Sequence, residues 1–543
     1  MIKQISLKNF KAFKSLDDLE VKPITILCGT NSCGKSSILS SILLLKQTLE
    51  NQNPNQLILL NGRLVRLGLF ENMVFRKQEN SPVSFSFSFF ISIEELEEVL
   101  TEKSLYWIVK NYIYPFGVQN IVNRKSTINR PKKKNINRAL ERPSRQNKES
   151  PSKYNIEGVR VNYTSKIKCL NNETYNKTVK SPIKPIIVEF IGIETQGIIN
   201  GQPILSTSIE VIKSPTHNDL YDIKWSFNND LHSQEVDEND SISSGDFSVT
   251  QLRFSNLVPI FYDRLIHKNN KTKVHPGDVF RFLRRMKILL QGIFPSCSYI
   301  GPLREQPSRR YIYEDEVYEI GVKGENAAYL YLSELSKEIG EHYFHNSNTD
   351  SFESKFTTLE EAVQKWFTLM GICGFESELK NEIVYLNLNA NPQNDTRVSI
   401  ADVGFGVSQI FPIVLEGLRM PQGGTLLLEQ PEIHLHPNLQ MQMADYFVAM
   451  AKSGKNFIVE THSDHIVNRL IRRIVESKDG ELNDLIGIYF IKPTEEGSIC
   501  EEINIDDKYG ITNWPDEFFD QVANEQEKIM MAGLQKRKSL RKN

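Results

Sequence analysis

The sequence has no apolar run as long as the roughly eighteen residues a bilayer-spanning helix needs, and its start lacks the charged-then-apolar pattern of a secretory leader. Neither a membrane span nor an export signal is expected, and the chain reads as soluble and cytoplasmic. Cysteine is scarce. The six thiols (Cys28, Cys33, Cys169, Cys297, Cys373, Cys500) form no CxxC pair, and no histidine spacing suits zinc, which excludes a disulfide framework and a zinc ribbon. Charge of either sign is not in excess: 65 Lys and Arg against 67 Asp and Glu leave a net −2, so the whole chain is not drawn to nucleic acid or to a membrane, and any basic surface must be local. No heptad pattern is sustained, which disfavours a long coiled-coil arm.

What is present is concentrated in Ile24 to Ser37. Ile24-Thr25-Ile26-Leu27-Cys28 reads as a buried strand that breaks at Gly29; Gly34 then precedes Lys35, Ser36 and the helix-like run Ile38 to Leu45. Glycines at both ends of this GxxxxGKS pattern let backbone N–H groups close around a polyphosphate, and the helix N-terminus adds its positive dipole. Lys35 can bridge the outer phosphates, and the Ser36 hydroxyl can ligate Mg²⁺. Gly29, Asn31, Ser32, Cys33, Gly34, Lys35, Ser36 and Ser37 are therefore candidate contacts to a nucleoside triphosphate. ATP with Mg²⁺ is the expected pair.

The rest of the chain divides by composition. Residues 1–122 hold the loop and further strands, among them the alternating Val83 to Ile91. Residues 123–153 contain eleven Lys and Arg among Asn, Ser and Pro, and predict a disordered basic insertion. Residues 154–260 read as short strands, residues 261–395 as a helical region including Val279 to Leu290, Ala327 to Gly340 and Thr358 to Leu369. Residues 396–500 alternate strand and helix, which predicts a parallel α/β core, and 501–543 form an extension with a basic tail.

A phosphate loop needs an acid at the end of a second buried strand to hold the Mg²⁺ shell, and Leu426-Leu427-Leu428 ends in Glu429, the candidate metal-side acid. Gln430 and Glu432 follow in the distinctive block Glu429 to Pro437. Another apolar strand ends in Val459-Glu460-Thr461-His462, where His462 could reach a γ-phosphate. Upstream, Gly404, Gly406, Ser408 and Gln409 open a helix and form a second candidate anion cradle.

Together these residues resemble the ATP-binding cassette (ABC) ATPases of the structural-maintenance and overcoming-lysogenization-defect type, over 1–70 and 398–525, with Tyr299 to Arg304 also similar. The resemblance implies an α/β fold: an ABC-ATPase head, itself a P-loop NTPase, with strand-rich and helical insertions between the two halves of the nucleotide site. It implies that two chains sandwich ATP, so a homo-oligomer is expected. Lys35 and Ser36 then serve phosphate and metal, Glu429 is the second acidic position, and His462 is the switch histidine. Gly404 to Gln409 is the signature segment facing the other chain's nucleotide. Gly406 stands where that signature has serine, with Ser408 as the alternative hydroxyl. Gln430 stands where the glutamate that deprotonates water is usual, which leaves Glu432 and His462 as the other candidates for the base.

Within that superfamily, His434 to Pro437, Glu460 to Ser463 and Trp514 to Asp520 resemble the Septu ATPase subunits of bacterial anti-phage defence. That implies slow ATP hydrolysis and a separate HNH nuclease partner. Only about eighty residues follow His462, too few for an appended nuclease domain, so no intrinsic nuclease is expected. The alternative is a DNA repair or recombination ATPase that clamps DNA itself, supported by the basic stretch 123–153. A transporter's nucleotide-binding subunit is a third reading, and it is disfavoured by the internal insertions.

Overall fold

The computed structural model describes residues 1–53, 56–78, 81–92, 156–169, 185–199, 202–214, 220–229, 242–250, 252–260, 266–267, 276–312, 319–391, 394–477, 480–506, 510–515, 518–519 and 521–540. The basic stretch 123–153 lies outside them.

The chain opens with the hairpin β1 (Ile2–Phe10) and β2 (Phe13–Glu20), followed by β3 (Ile24–Gly29) and the helix α1 (Lys35–Leu49). A four-residue helix α2 (Phe70–Met73) precedes β4 (Val83–Ser92). Next come β5 (Ile156–Cys169), β6 (Ile186–Ile199), β7 (Gln202–Lys213), β8 (Leu220–Asn229) and β9 (Ile242–Thr250), then the short β10 (Arg253–Ser255), β11 (Val258–Ile260) and β12 (Ile266–His267). Nine of these strands form one antiparallel sheet in the order β12-β9-β8-β7-β6-β5-β4-β1-β2. The short strands expected in 154–260 are thus, for the most part, long neighbours in a meander. Alternation along them, as in Val83, Phe85, Phe87, Phe89 and Ile91, turns one face to the core.

The span 261–395 is not purely helical. It contains α3 (Pro276–Ile293), α4 (Ala327–Glu334) and α5 (Leu359–Leu369), interleaved with β13 (Cys297–Ile300), β14 (Tyr311–Ile312), the hairpin β15 (Glu338–Asn346) and β16 (Ser351–Thr358), and a small sheet of β17 (Glu376–Lys380), β18 (Ile383–Asn391) and β19 (Asn394–Ser399). The helix expected to run to Gly340 stops at Glu334. Gly340 has φ 80°, in the left-handed region that a helix interior does not use, and the chain there already pairs with β16.

The second large sheet carries the site. It uses β20 (Thr425–Glu429), β21 (Asn456–Glu460), β22 (Ile486–Thr494) and β23 (Gly497–Glu502) in the order β13-β20-β21-β3-β22-β23, parallel except at its last pair. A parallel sheet is covered on both faces, which is why its strands are apolar throughout rather than alternating. The alternation persists as a choice between two cores. Leu27, Leu427 and Ile458 face the nine-stranded sheet and α1, whereas Ile26, Leu426, Leu428, Phe457 and Val459 face α6 (Phe405–Arg419), α7 (Pro437–Lys452) and α8 (Asp464–Glu476). Helix α1, sandwiched between the sheets, is buried almost all round, and the polar residues among its apolar ones find partners there: Lys46 donates to the Phe294 carbonyl at 2.8 Å and Gln47 to the Leu59 carbonyl at 2.6 Å. The helix α9 (Gln521–Leu540) closes the described chain. Among the described residues no helix is long and apolar enough to cross a membrane.

Candidate nucleotide site

Two glycines shape the loop between β3 and α1. Gly29 has φ 143°, and a Cβ there would lie 2.0 Å from the Ile491 carbonyl oxygen on β22; Gly34 has φ 105°, and a Cβ there would lie 2.7 Å from the Ala12 methyl in the β1–β2 turn. Neither position admits a side chain. Asn31 and Ser32 are exposed between them and Cys33 is buried. The Lys35 ammonium donates to the Gly29 and Thr30 carbonyl oxygens at 3.1 and 2.7 Å, so its charge sits within the ring of loop backbone. Ser36 is exposed on the first turn of α1, while Ser37 is buried and its N–H donates to the Gly34 carbonyl.

Opposite the loop stand the ends of β20 and β21. Their parallel register pairs Glu429 with Glu460, bringing two carboxylates side by side. The Ser36 hydroxyl donates to Glu460 Oε1 at 2.9 Å, and the Tyr299 hydroxyl donates to Glu429 Oε1 at 2.8 Å. Burial, and then the neighbouring Glu429 charge, push the Glu460 carboxyl up to about 7; burial also raises Glu429 and Glu432. Arg304 is the compensating cation. It is buried, it donates to the Glu429 and Gln430 carbonyl oxygens at 2.8 and 3.0 Å, and burial brings its guanidinium down to about 10. Lys11 donates to Ser40 Oγ at 3.1 Å; burial lowers its affinity for protons, and the Glu429 charge opposes that shift.

Gln430 leaves the strand at φ 47°, with its N–H donating to the Glu460 carbonyl at 2.7 Å. Two residues on, Glu432 accepts the His462 N–H on Oε1 at 2.7 Å and the Thr461 hydroxyl on Oε2 at 2.8 Å. Both its oxygens therefore hold the turn that follows β21. His462 sits in that turn, half-buried, its imidazole held toward neutrality first by burial and then by the Lys35 charge. Ser463 caps α8 by accepting the Ile466 N–H at 3.0 Å.

The structure thus brings the loop, Glu429, Gln430, Glu432 and His462 to one side of one sheet. The signature segment packs on the stretch that follows Glu432. Gly404 caps α6 and is exposed with Phe405, whose ring lies 5.9 Å from that of His434, and a Cβ on Gly406 would meet the His434 carbonyl oxygen at 3.4 Å. Ser408 and Gln409 point the other way: both are buried, and the Ser408 hydroxyl donates back to the Phe405 carbonyl at 2.8 Å. The expectation that Ser408 offers its hydroxyl in place of the missing signature serine does not fit this geometry.

Sequence reasoning gives no site role to Glu460, Tyr299, Arg304 or Lys11, although Tyr299 to Arg304 and Glu460 lie in stretches that carry the resemblance. Glu460 carried a usable signal, since it ends a buried strand just as Glu429 does. The hydroxyl of Ser36 and the carboxylates of Glu429 and Glu460 are a hard-oxygen set, and the buried Glu460 Oε2 has no hydrogen-bond partner, so these residues fit Mg²⁺.

A phosphate loop between a parallel strand and a helix, facing a second acid-bearing strand, defines a P-loop nucleoside triphosphatase of the α/β class. Residues 1–244 and 325–467 match the family model of the AAA ATPase domain, more than half of the chain. The chain belongs to the AAA ATPase domain family. Residues 483–529 match a second model, described as a protein of unknown function (DUF3696). No curated protein matches the sequence. Similar solved structures include the SMC head domain from Thermotoga maritima, at 10% identity over 93% of this chain and 99% of that one, with a TM-score of 0.35. The Smc head domain with an extended coiled coil bound to the C-terminal domain of ScpA, from Pyrococcus furiosus, is similar at 10% identity over 97% and 99%, with a TM-score of 0.32.

Proposed function

We propose that this ATPase binds ATP with Mg²⁺, turns it over slowly, and works in the bacterial cytoplasm as the ATPase subunit of an anti-phage defence system. On this reading it is most like the Septu subunit PtuA, assembling as a homo-oligomer and controlling a separate HNH-type nuclease. The ATPase head comprises 1–122 and 396–500. Lys35 and the loop N–H groups of Gly29 to Ser37 bind the phosphates; Ser36 and Glu429 hold the metal, which supplies charge neutralisation at the phosphate oxygens. His462 reads the γ-phosphate. Gly404 and Gly406 face the nucleotide of a second chain.

One observation supports slow turnover above the others: a carboxamide, Gln430, leaves the acid-bearing strand where a general base is needed, and the nearest alternative, Glu432, has both oxygens engaged. An amide orients water by hydrogen bonding but cannot take its proton at neutral pH, and losing a general base costs about 10² to 10⁴ in rate. A long-lived ATP-bound assembly suits a switch better than a motor. The defence role rests on the resemblance of the His434 to Pro437 and Glu460 to Ser463 blocks. Its test is affinity capture of the full chain co-expressed with the adjacent open reading frame from its host. Recovery of an HNH nuclease, with release or activation dependent on nucleotide, is expected; recovery of duplex DNA with no nuclease would replace the proposal by the DNA-clamp reading.

A further inference from the structure

Helix α9 has no other element covering it. Every residue from Asn524 to Arg537 is exposed, and these include four large apolar side chains close together, Ile529, Met530, Met531 and Leu534, each 44 to 70% exposed. Elsewhere among the described residues, large exposed apolar side chains stand singly in the sequence. Most helices in proteins owe their stability to packing an apolar face, and Gly533 in the middle of α9 lowers its intrinsic preference further. Glu527, Met530, Leu534 and Arg537 follow one another at intervals of three, four and three, which sets them in one stripe along the helix. The stripe reads acid, apolar, apolar, base. Such an order is complementary to itself when reversed. A two-fold axis at the height of Ala532 places Met530 of one copy against Leu534 of the other, and Glu527 against Arg537, each contact occurring twice. A parallel pair would set Glu527 on Glu527 and Arg537 on Arg537, and like charges cost about as much as unlike charges gain. Neither charge is engaged within the chain: Lys528 pairs with Glu525 on the same helix at 2.6 Å, whereas no ion pair among the described residues holds Glu527 or Arg537. Gly533 flanks the stripe, and a Cβ there would meet nothing within 4 Å, so the backbone is open to a second helix.

We propose that the Glu527 to Arg537 stripe of α9 docks antiparallel on the same stripe of a second copy of this chain. The contact goes beyond the ATP-dependent pairing of heads and does not rest on it. No residue of the nucleotide site takes part, so the docking needs no nucleotide. Because both copies use one surface, a single substitution acts at two places in the dimer.

Sedimentation equilibrium of the full chain without nucleotide, over a micromolar concentration series, is the test, with folding checked by thermal melting. The parent should dimerise reversibly, and Lys35→Ala should do so equally well, which separates this contact from any that needs ATP. Leu534→Asp, which sets a charge in the apolar centre of the stripe, should leave a monomer. Glu527→Arg opposes like charges twice and should weaken the dimer at least tenfold. Adding Arg537→Glu to it exchanges the two charges and should return the dimer to parental strength. Since every substituted side chain is exposed, the melting temperature of the monomer should stay within a degree or so of the parent's. A nucleotide-free chain that is monomeric throughout, a dimer that survives Leu534→Asp or ignores Glu527→Arg, or a dimer that Arg537→Glu fails to restore would overturn the proposal.

Discussion

The two sides of the nucleotide site are built on opposite plans. The phosphate side is contiguous: nine residues from Gly29 to Ser37 supply its glycines, lysine and hydroxyls, and their geometry is set within the loop and by two close backbone approaches. The acidic side is assembled from Tyr299 and Arg304, from Glu429 to Glu432, and from Glu460 to His462, which meet only because β13, β20 and β21 are neighbours in one parallel sheet. A contiguous site fails when one of its own groups is lost. An assembled site is braced from outside, so residues that touch no phosphate still set the position of those that do.

If that contrast is real, the largest loss comes from the contiguous side. Lys35→Ala removes a cation that makes charge-assisted contacts worth about 1.5 to 3 kcal/mol each, and no neighbour replaces it. ATP affinity should fall by about 10³-fold in equilibrium binding while the melting temperature barely moves; unchanged affinity would remove the central element of the site.

The next largest effect is a gain. Gln430→Glu supplies a carboxylate where the amide now stands, and steady-state hydrolysis, expected in the parent at or below the low end of the usual 1 to 10³ per second, should rise by about 10²-fold. Fast hydrolysis in the parent, abolished by Glu432→Gln, would instead assign the base to Glu432 and require its two hydrogen bonds to break.

Smaller changes test the brace. Arg304→Ala leaves the Glu429 and Gln430 carbonyls without its donors and the Glu429 and Glu432 carboxylates without their buried cation, so ATP affinity should fall about tenfold although Arg304 bonds only to backbone. Glu460→Gln should raise the Mg²⁺ concentration needed for half-maximal ATP binding by about tenfold, leaving the Ser36 hydroxyl an oxygen to bond. If both variants bound ATP and Mg²⁺ like the parent, the acidic side would be no more than a scaffold.

The same contrast explains what the sequence reveals. Gly29, Gly34, Lys35 and Ser36 are legible because loop, strand and helix are adjacent in the chain, and Glu429 because a carboxylate after three buried leucines is conspicuous. Arg304 is not legible as a brace, since its partners are backbone atoms some 125 residues away. Glu460 obeys the strand-end rule that exposes Glu429, but it stands beside the more conspicuous His462. The β5–β9 meander reads as short pieces because Asn162, Gly192, Gly197 and Pro203, which commonly mark turns, lie inside its strands. The helix expected over Ala327 to Gly340 overruns the start of β15 because Glu334, Lys337 and Glu338 favour helices locally, and tertiary pairing overrides that preference.

The smallest expected effect separates signature chemistry from helix packing. The resemblance makes Ser408 the alternative to the serine missing at Gly406, whereas the structure buries it and bonds its hydroxyl to the Phe405 carbonyl one turn back. A serine bonded back along its helix contributes little to stability and nothing to a surface. To reach a nucleotide on another chain it would have to break that bond and leave the core beside Phe411, which lies one turn further along the same buried stripe. Gly404 and Gly406, by contrast, need no side chain, because the first N–H groups of α6 are themselves anion donors at the positive end of a helix dipole. Ser408→Ala should therefore leave ATP affinity, turnover and ATP-dependent self-association within about twofold of the parent. Gly406→Glu, which sets a negative charge on the exposed first turn, should abolish the self-association alone. If Ser408→Ala abolished it as well, the hydroxyl would have to turn outward in the assembled state, and the first turn of α6 would be a mobile part of the interface rather than a rigid one.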